Sequence, residues 1–305
     1  MSRPSRSLNI RWPFGRSAPD EAPAATATVP VVRLTTSLVA TLRLPWNSQF
    51  TPGALARFLA GSPGWAWTVP DSGEYLIADR WRRRDDVAVV AELRARRQVP
   101  PLLEAATAAL ATAGVGALLV PEGDWPALNG LYAPHGFGLI EKILYYQIAA
   151  LRLPLPTVRP LPSLTLARVA GTDLGPVLEV DHRSFPWLWR NSAEEFAGYI
   201  AAPGVEVLIG RADGAPVGYA GFTINRNWGH LDRLGVVEGA QGRGWGAALL
   251  AAALTRMAAR GVTRVTLSTQ ETNVQSQRLY CGFGFRRTSD FHLIYGRWLG
   301  EPRGT

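Results

Sequence analysis

The sequence predicts an α/β (α+β) chain built of two domains in tandem, and three observations carry that expectation. The 305 residues amount to about twice a typical single-domain length. The stretch Leu-Tyr-x-x-x-Gly-Phe occurs at 131–137 and again at 279–285, 148 residues on (279 − 131). A segment with four prolines, residues 152–164, separates the two copies and disfavours helix and strand alike. The surroundings repeat as well. The apolar helix expected over 100–114 matches one ending at Gly261, an offset of 147 (261 − 114). Val115–Val120 matches Val262–Leu267 at that offset, and Val89-Val90 then fall on Val236-Val237. Several elements in one order at nearly one spacing point to internal duplication.

In the second half the elements run as follows. Residues 163–170 read as a strand, and the stretch from Asp173 begins with a helix. A second helix spans 192–202, with Ser192 as N-cap and Glu195 three residues on. Val205–Asn225 reads as a hairpin turning at Asp213-Gly214. A strand covers 230–237, and a glycine-rich turn then opens a helix that stops at Gly261. The strand 262–269, a short helix from Asn273 and further strands over 285–299 complete the half.

Composition narrows the function. No apolar run is long enough for a membrane-spanning helix, and the first residues lack the apolar core of a secretory signal. Cytoplasmic location is the default expectation. Residues 1–29, rich in Pro, Ala, Ser and Thr, are expected to be a disordered tail. The sole cysteine, Cys281, excludes an internal disulfide framework and a cysteine-cluster metal site; no metal is expected. The net charge is +8, carried by arginine apart from Lys142. The runs 80–84 and 94–97 have the charge to touch phosphates, but no nucleic-acid motif accompanies them. They read as solvated faces or a mild attraction for an anionic cosubstrate.

The stretch Gln241-Gly242-Arg243-Gly244-Trp245-Gly246 follows a strand and opens a helix. Glycines at alternate positions let backbone N–H groups converge, and the helix N-terminus favours an anion there. The spacing is neither the dinucleotide fingerprint nor the P-loop. It fits Gln/Arg-x-x-Gly-x-Gly/Ala, and Asn273, Leu279-Tyr280 and Gly284-Phe285 follow downstream. This pair of motifs resembles the GNAT superfamily of acyl-CoA-dependent N-acetyltransferases, over about residues 163–298. The resemblance implies two GNAT-like units, each a mixed, mostly antiparallel sheet flanked by helices. Expected boundaries are a degenerate unit at 30–151, a linker at 152–162 and a catalytic unit at 163–300.

The resemblance also implies roles. Gln241, Gly242, Arg243, Gly244, Trp245 and Gly246 would hold the pyrophosphate of acetyl-CoA, the cosubstrate. Leu234, Gly235, Val236 and Val237 would pair with its pantetheine arm and polarise the thioester. Asn273 would contact the pantetheine, and Tyr280 would protonate the departing thiolate. His230 and Asp232, eleven and nine residues before Gln241, are the candidate general bases; Glu271 is a further candidate. The stretch 181–196 resembles the acceptor side of ribosomal-protein N-terminal acetyltransferases, with Asp181, His182, Trp187 and Trp189 as candidate pocket residues. Where those enzymes carry a glutamate, this chain has Ser268.

In the first half, the 147-residue offset lays Gln241 on Arg94 and the three glycines on Ala95, Arg97 and Val99, followed by Pro100-Pro101. The cradle is expected to be lost there, with Tyr132 a packing residue. The implied function is acetyl transfer from acetyl-CoA to a primary amine, by direct attack in a ternary complex. The alternative is a non-catalytic acyl-CoA-binding sensor. Expected partners are acetyl-CoA and an amine acceptor, without nucleic acid or membrane, in a monomer or dimer.

Overall fold

A computed structural model describes residues 30–61, 65–122, 131–159, 161, 163–169 and 173–300. The tail expected over 1–29 lies outside the described residues. So do Pro160 and Pro162 of the linker.

The first half supplies strands β1 (Val32–Arg33), β2 (Ala66–Val69), β3 (Glu74–Arg80), β4 (Val87–Arg94), β5 (Ala117–Glu122) and β6 (Gly138–Ile148). The second supplies β7 (Leu164–Arg168), β8 (Val205–Ala212), β9 (Ala215–Asn225), β10 (Trp228–Val236), β11 (Arg264–Gln270) and β12 (Arg286–Trp298). The helices are α1 (Pro52–Gly61), α2 (Val99–Thr112), α3 (Gly175–Ser184), α4 (Ala193–Ala201), α5 (Trp245–Ala259) and α6 (Val274–Gly282). This is the mixed, mostly antiparallel arrangement with flanking helices that the sequence predicts; β4–β5 and β10–β11 are parallel. Ser192 caps α4 by accepting from Glu195 N at 3.0 Å. Asp213 and Gly214, with φ of 50° and 82°, make the hairpin turn.

The twelve strands form one sheet in the order β1-β2-β3-β4-β5-β12-β6-β11-β10-β9-β8-β7. The last strand of each half is exchanged. β12 pairs with β5 of the first half, and β6 pairs with β11 of the second. Leu144, Tyr146 and Ile148 of β6 accordingly pack in one core with Leu249, Leu254 and Met257 of α5. The sheet therefore continues past the proline-rich segment.

The repeated Leu-Tyr-x-x-x-Gly-Phe stretches turn out to be a chain-reversal device. Gly136 and Gly284 lie in the left-handed region, with φ of 77° and 88°. Phe137 N then donates to Tyr132 O at 3.3 Å, and Phe285 N donates to Tyr280 O at 3.1 Å. Each Tyr–Phe pair packs ring to ring, at 5.5 and 6.0 Å between centroids, and both tyrosines are buried.

The duplication is less regular than the sequence offset implies. Along β5 and β11 the halves are 147 residues apart (264 − 117), but along β4 and β10 they are 141 apart (228 − 87). Val89 thus corresponds to His230, not to Val236. Four of the six residues fall in the connection between strand and helix, and the other two lengthen the facing ends of β10 and α5. The connection from β10 to α5 is 237–244, with a 3-10 turn at Glu238–Ala240, whereas that from β4 to α2 is only 95–98.

Candidate active site

The site grows from a defect in β10. Its parallel pairing with β11 ends at Leu231–Leu267, while its pairing with β9 continues to Val236. Beyond Leu231 the two parallel strands part. At that point β10 carries a bulge: Leu231 faces Phe222 and Arg233 faces Gly221, which leaves Asp232 as the extra residue. A bulge re-aims the side chain it carries. Asp232 here lines a cavity of about 220 Å3, with Leu234, Ser268, Asn273 and Tyr280 also in its wall. The first half has the same bulge, but its extra residue is Ala91.

Asp232 Oδ2 accepts from Tyr199 Oη and from Thr223 Oγ1, both at 2.7 Å. His230 Nε2 lies 4.0 Å from Asp232 Oδ1. Its Nδ1 is 2.7 Å from Thr266 Oγ1, and its ring stacks on Trp228 at 5.8 Å. Burial raises the Asp232 pKa above the usual carboxylate range, opposed by the two hydroxyl bonds and by His230. Burial lowers that of His230, opposed by Asp232. The two therefore sit side by side as expected. Only Asp232 reaches the cavity wall, and His230 stands behind it.

Tyr280 projects from α6 into the cavity wall and is 5% exposed. Burial pushes its hydroxyl up to about 12, so it holds a proton throughout the physiological range. Asn273 also lines the cavity, with its Oδ1 accepting from Ser276 N at 3.1 Å as the N-cap of α6. Glu271 goes elsewhere: it is exposed and pairs with Lys142 at 3.0 Å.

Gly242 and Gly244 both have positive φ, 76° and 93°, and Gly244 is the N-cap of α5. No side chain caps α5, so its N-terminus is free to receive an anion. Gln241 Nε2 donates to Val236 O at 3.0 Å and ties the loop to the end of β10; Arg243 is exposed. Trp245 offers backbone alone, because its indole is buried among Val177, Phe196 and Tyr219. Val237 N is taken by Val217 O at 3.0 Å, which leaves Leu234, Gly235 and Val236 as the open strand edge.

The corresponding helix start in the first half is closed by the protein itself. Glu74 accepts from the backbone N of Arg96, Arg97 and Gln98 at 3.1, 3.3 and 2.7 Å. The amides still converge there despite the missing glycines, but a carboxylate of β3 fills the nest.

The candidate acceptor residues divide. Trp189 lines the cavity. Asp181 does not: fully buried, it accepts from Tyr219 Oη at 2.6 Å, Arg233 Nη2 at 2.7 Å and Asn191 N at 2.9 Å. His182 Nε2 is 2.9 Å from Asn191 O. Trp187 donates to Asp86 at 3.1 Å and lies under Arg84, so the first half holds it. Sequence reasoning missed Trp81 and Arg82, which reach the cavity from the 3-10 turn Trp81–Arg83. It also missed Tyr199 and Thr223, the hydroxyls on Asp232. Their separation in sequence gives no local signal.

The sheet thus parts beside a glycine-rich helix start, with a carboxylate and a phenol in the cavity wall. The family model described as Acetyltransferase (GNAT) family matches residues 175–285. A mycothiol acetyltransferase from Clavibacter michiganensis subsp. michiganensis is 30% identical over 208 residues, which is 65% of this chain and 67% of that protein. Two solved structures share the fold at 17% identity. A GCN5-related N-acetyltransferase from Sphaerobacter thermophilus has a TM-score of 0.57 over 90% of this chain and 97% of that one. A tandem GNAT protein from the clavulanic acid biosynthesis pathway has 0.55 over 90% and 99%. The chain belongs to the GNAT family of acetyltransferases. It is an N-acetyltransferase, an acyltransferase that moves an acetyl group to an amine. The family draws that group from acetyl-CoA.

Proposed function

We propose that the second half, about residues 163–300, carries the reaction, and that acetyl-CoA binds along Leu234–Val236 and Gln241–Gly246. The observation behind this reading is the pairing of Asp232 with Tyr280 in the wall of one cavity, beside a helix start that no side chain caps. The residues fit the cosubstrate. Amides from Gly242 to Gly246 face the pyrophosphate, the open edge of β10 takes the pantetheine arm, and Asn273 flanks it. The first half, residues 30–151, fails the same fit because Glu74 occupies its nest.

Asp232, backed by His230, takes a proton from the acceptor amine directly or through water. The amine nitrogen attacks the thioester carbonyl carbon; the N–C bond forms and the C–S bond breaks. Tyr280 gives its proton to the departing thiolate. It is restored by the proton that the Asp232–His230 pair passes to solvent. Backbone N–H groups near Gly235 and Val236 stabilise the oxygen that becomes negative. The products are free CoA and an amide, with no covalent enzyme intermediate. Cys281 is exposed and takes no part.

The test is amine-dependent release of CoA across a panel of small amines and peptides. The expected result is release that falls about 100-fold or more in Asp232→Asn, with acetyl-CoA affinity little changed. Tight acetyl-CoA binding without release for any amine would favour a sensor instead.

A further inference from the structure

The first half does not merely accompany the site; it supplies part of its wall. Arg82 lies in the left-handed region, with φ 53° and ψ 38°, and Arg83 follows with φ 53°. A side chain with a Cβ is strained in this conformation, so the surrounding contacts must hold it there. They are visible. The guanidinium stands 5.4 Å from the Trp81 ring centroid and 5.5 Å from that of Trp189. Its Nη1 donates to Asn191 Oδ1 at 2.8 Å. Asn191 is fixed in turn, its backbone N donating to the buried Asp181 at 2.9 Å.

Among the described residues Arg82 has no direct ion-pair partner; Asp181 and Glu195 act on its charge only from longer range. Three arginines nearby are paired: Arg80 with Asp85 and Glu194, Arg84 with Asp86, Arg233 with Asp181. Among the described residues no carboxylate lies within ion-pair distance of Arg82, and its Nε is buried without an acceptor. Burial and the nearby Arg233 lower its pKa to about 10, which leaves it charged at neutral pH. A desolvated cation with unspent donors is costly unless something pairs with it. Its one hydrogen bond, through Nη1, leaves Nη2 without a partner among the described residues, and Nη2 is the donor that remains for a carboxylate entering the cavity. The same charge, with Arg233 beside it, repels polycations.

We propose that Arg82 is the specificity residue of this site and receives a carboxylate carried by the amine acceptor, so the substrate is an amino acid or another small amine bearing a carboxylate. The reading rests on acetyl transfer taking place in this cavity. The acceptor then spans it, with its carboxylate on Arg82 and its amine toward Asp232. The cavity, about 220 Å3, suits a molecule of that size.

Steady-state kinetics with matched acceptors tests this: free α- and ω-amino acids, their methyl esters and the decarboxylated amines, with wild type, Arg82→Gln and Arg82→Lys. The wild type is expected to favour the acid over its ester by about 10- to 100-fold in kcat/KM. Arg82→Gln should abolish that preference through KM, with kcat and the KM for acetyl-CoA within about twofold, and Arg82→Lys should restore part of it. Equal rates for acid and ester, preference for polyamines, or an equal loss for acid and ester in Arg82→Gln would overturn the proposal. Should Arg82→Gln fail to fold, the wild-type ratio of acid to ester still decides. Full activity in both Asp232→Asn and Tyr280→Phe would instead overturn the placement of the reaction in this cavity.

Discussion

Asp232 and His230 share one side of β10, and the bulge gives only the first of them to the cavity. Burial raises the carboxyl and lowers the imidazole, so the two titrate as one coupled pair. The base works only once deprotonated. The rate with saturating acceptor should therefore rise with pH as the pair loses its proton and then level off. Tyr280 has the opposite relation to pH. Its hydroxyl is pushed up to about 12, so it stays a donor and should contribute no loss of rate up to about pH 10. Tyr280→Phe is expected to lower kcat by about 10- to 100-fold with little change in the KM for acetyl-CoA; stopped assays of CoA release would show it. These three residues were legible in the sequence because their spacing from Gln241 and Gly284 is local. Arg82, Tyr199 and Thr223 were not, because strand pairing and a turn in the other half bring them to the site.

At the scale of elements, the two helix starts show one architecture with one nest open and the other filled by a carboxylate. The glycine-rich turn before α5 was readable from its residue types. The fate of its counterpart before α2 was not. The sequence suggests that the side chains of Ala95, Arg97 and Val99 obstruct a phosphate. The structure shows a connection four residues shorter and a carboxylate, Glu74, taking three amides. The offset that holds for helix and following strand misaligned β4, since the deletion falls between them. Glu74→Ala should cost about 1–2 kcal/mol of stability through loss of these bonds, measurable by urea unfolding. Calorimetric titration should give one acetyl-CoA per chain, and Gly244→Val should weaken that binding, because the N-cap of α5 sits at φ 93°, where a β-branched side chain is strained.

For the whole molecule, duplication was legible and strand exchange was not. A strand such as β6 has the same alternating pattern whichever edge it joins; only the pairing shows that it completes the second half while β12 completes the first. Cutting the chain at 152–162 would leave β5 and β11 each with an open edge and strip β6 from the core around α5. Residues 163–305 expressed alone should aggregate or self-associate, and co-expression with 30–151 should restore a one-to-one complex detectable by size-exclusion chromatography. The run 80–84, which in sequence reads as a solvated basic face, belongs to this same level of organisation: it folds against the second half and closes its cavity. On the proposed reading one chain holds one reaction, driven by Asp232 at the bulge of β10. The pH dependence of acetyl transfer at saturating substrate, in wild type and Asp232→Asn, tests it most directly. Wild type is expected to show an acidic limb, and the variant a fall of about 100-fold or more with the limb moved to that of His230 alone. An unchanged rate and an unchanged limb in Asp232→Asn would contradict it.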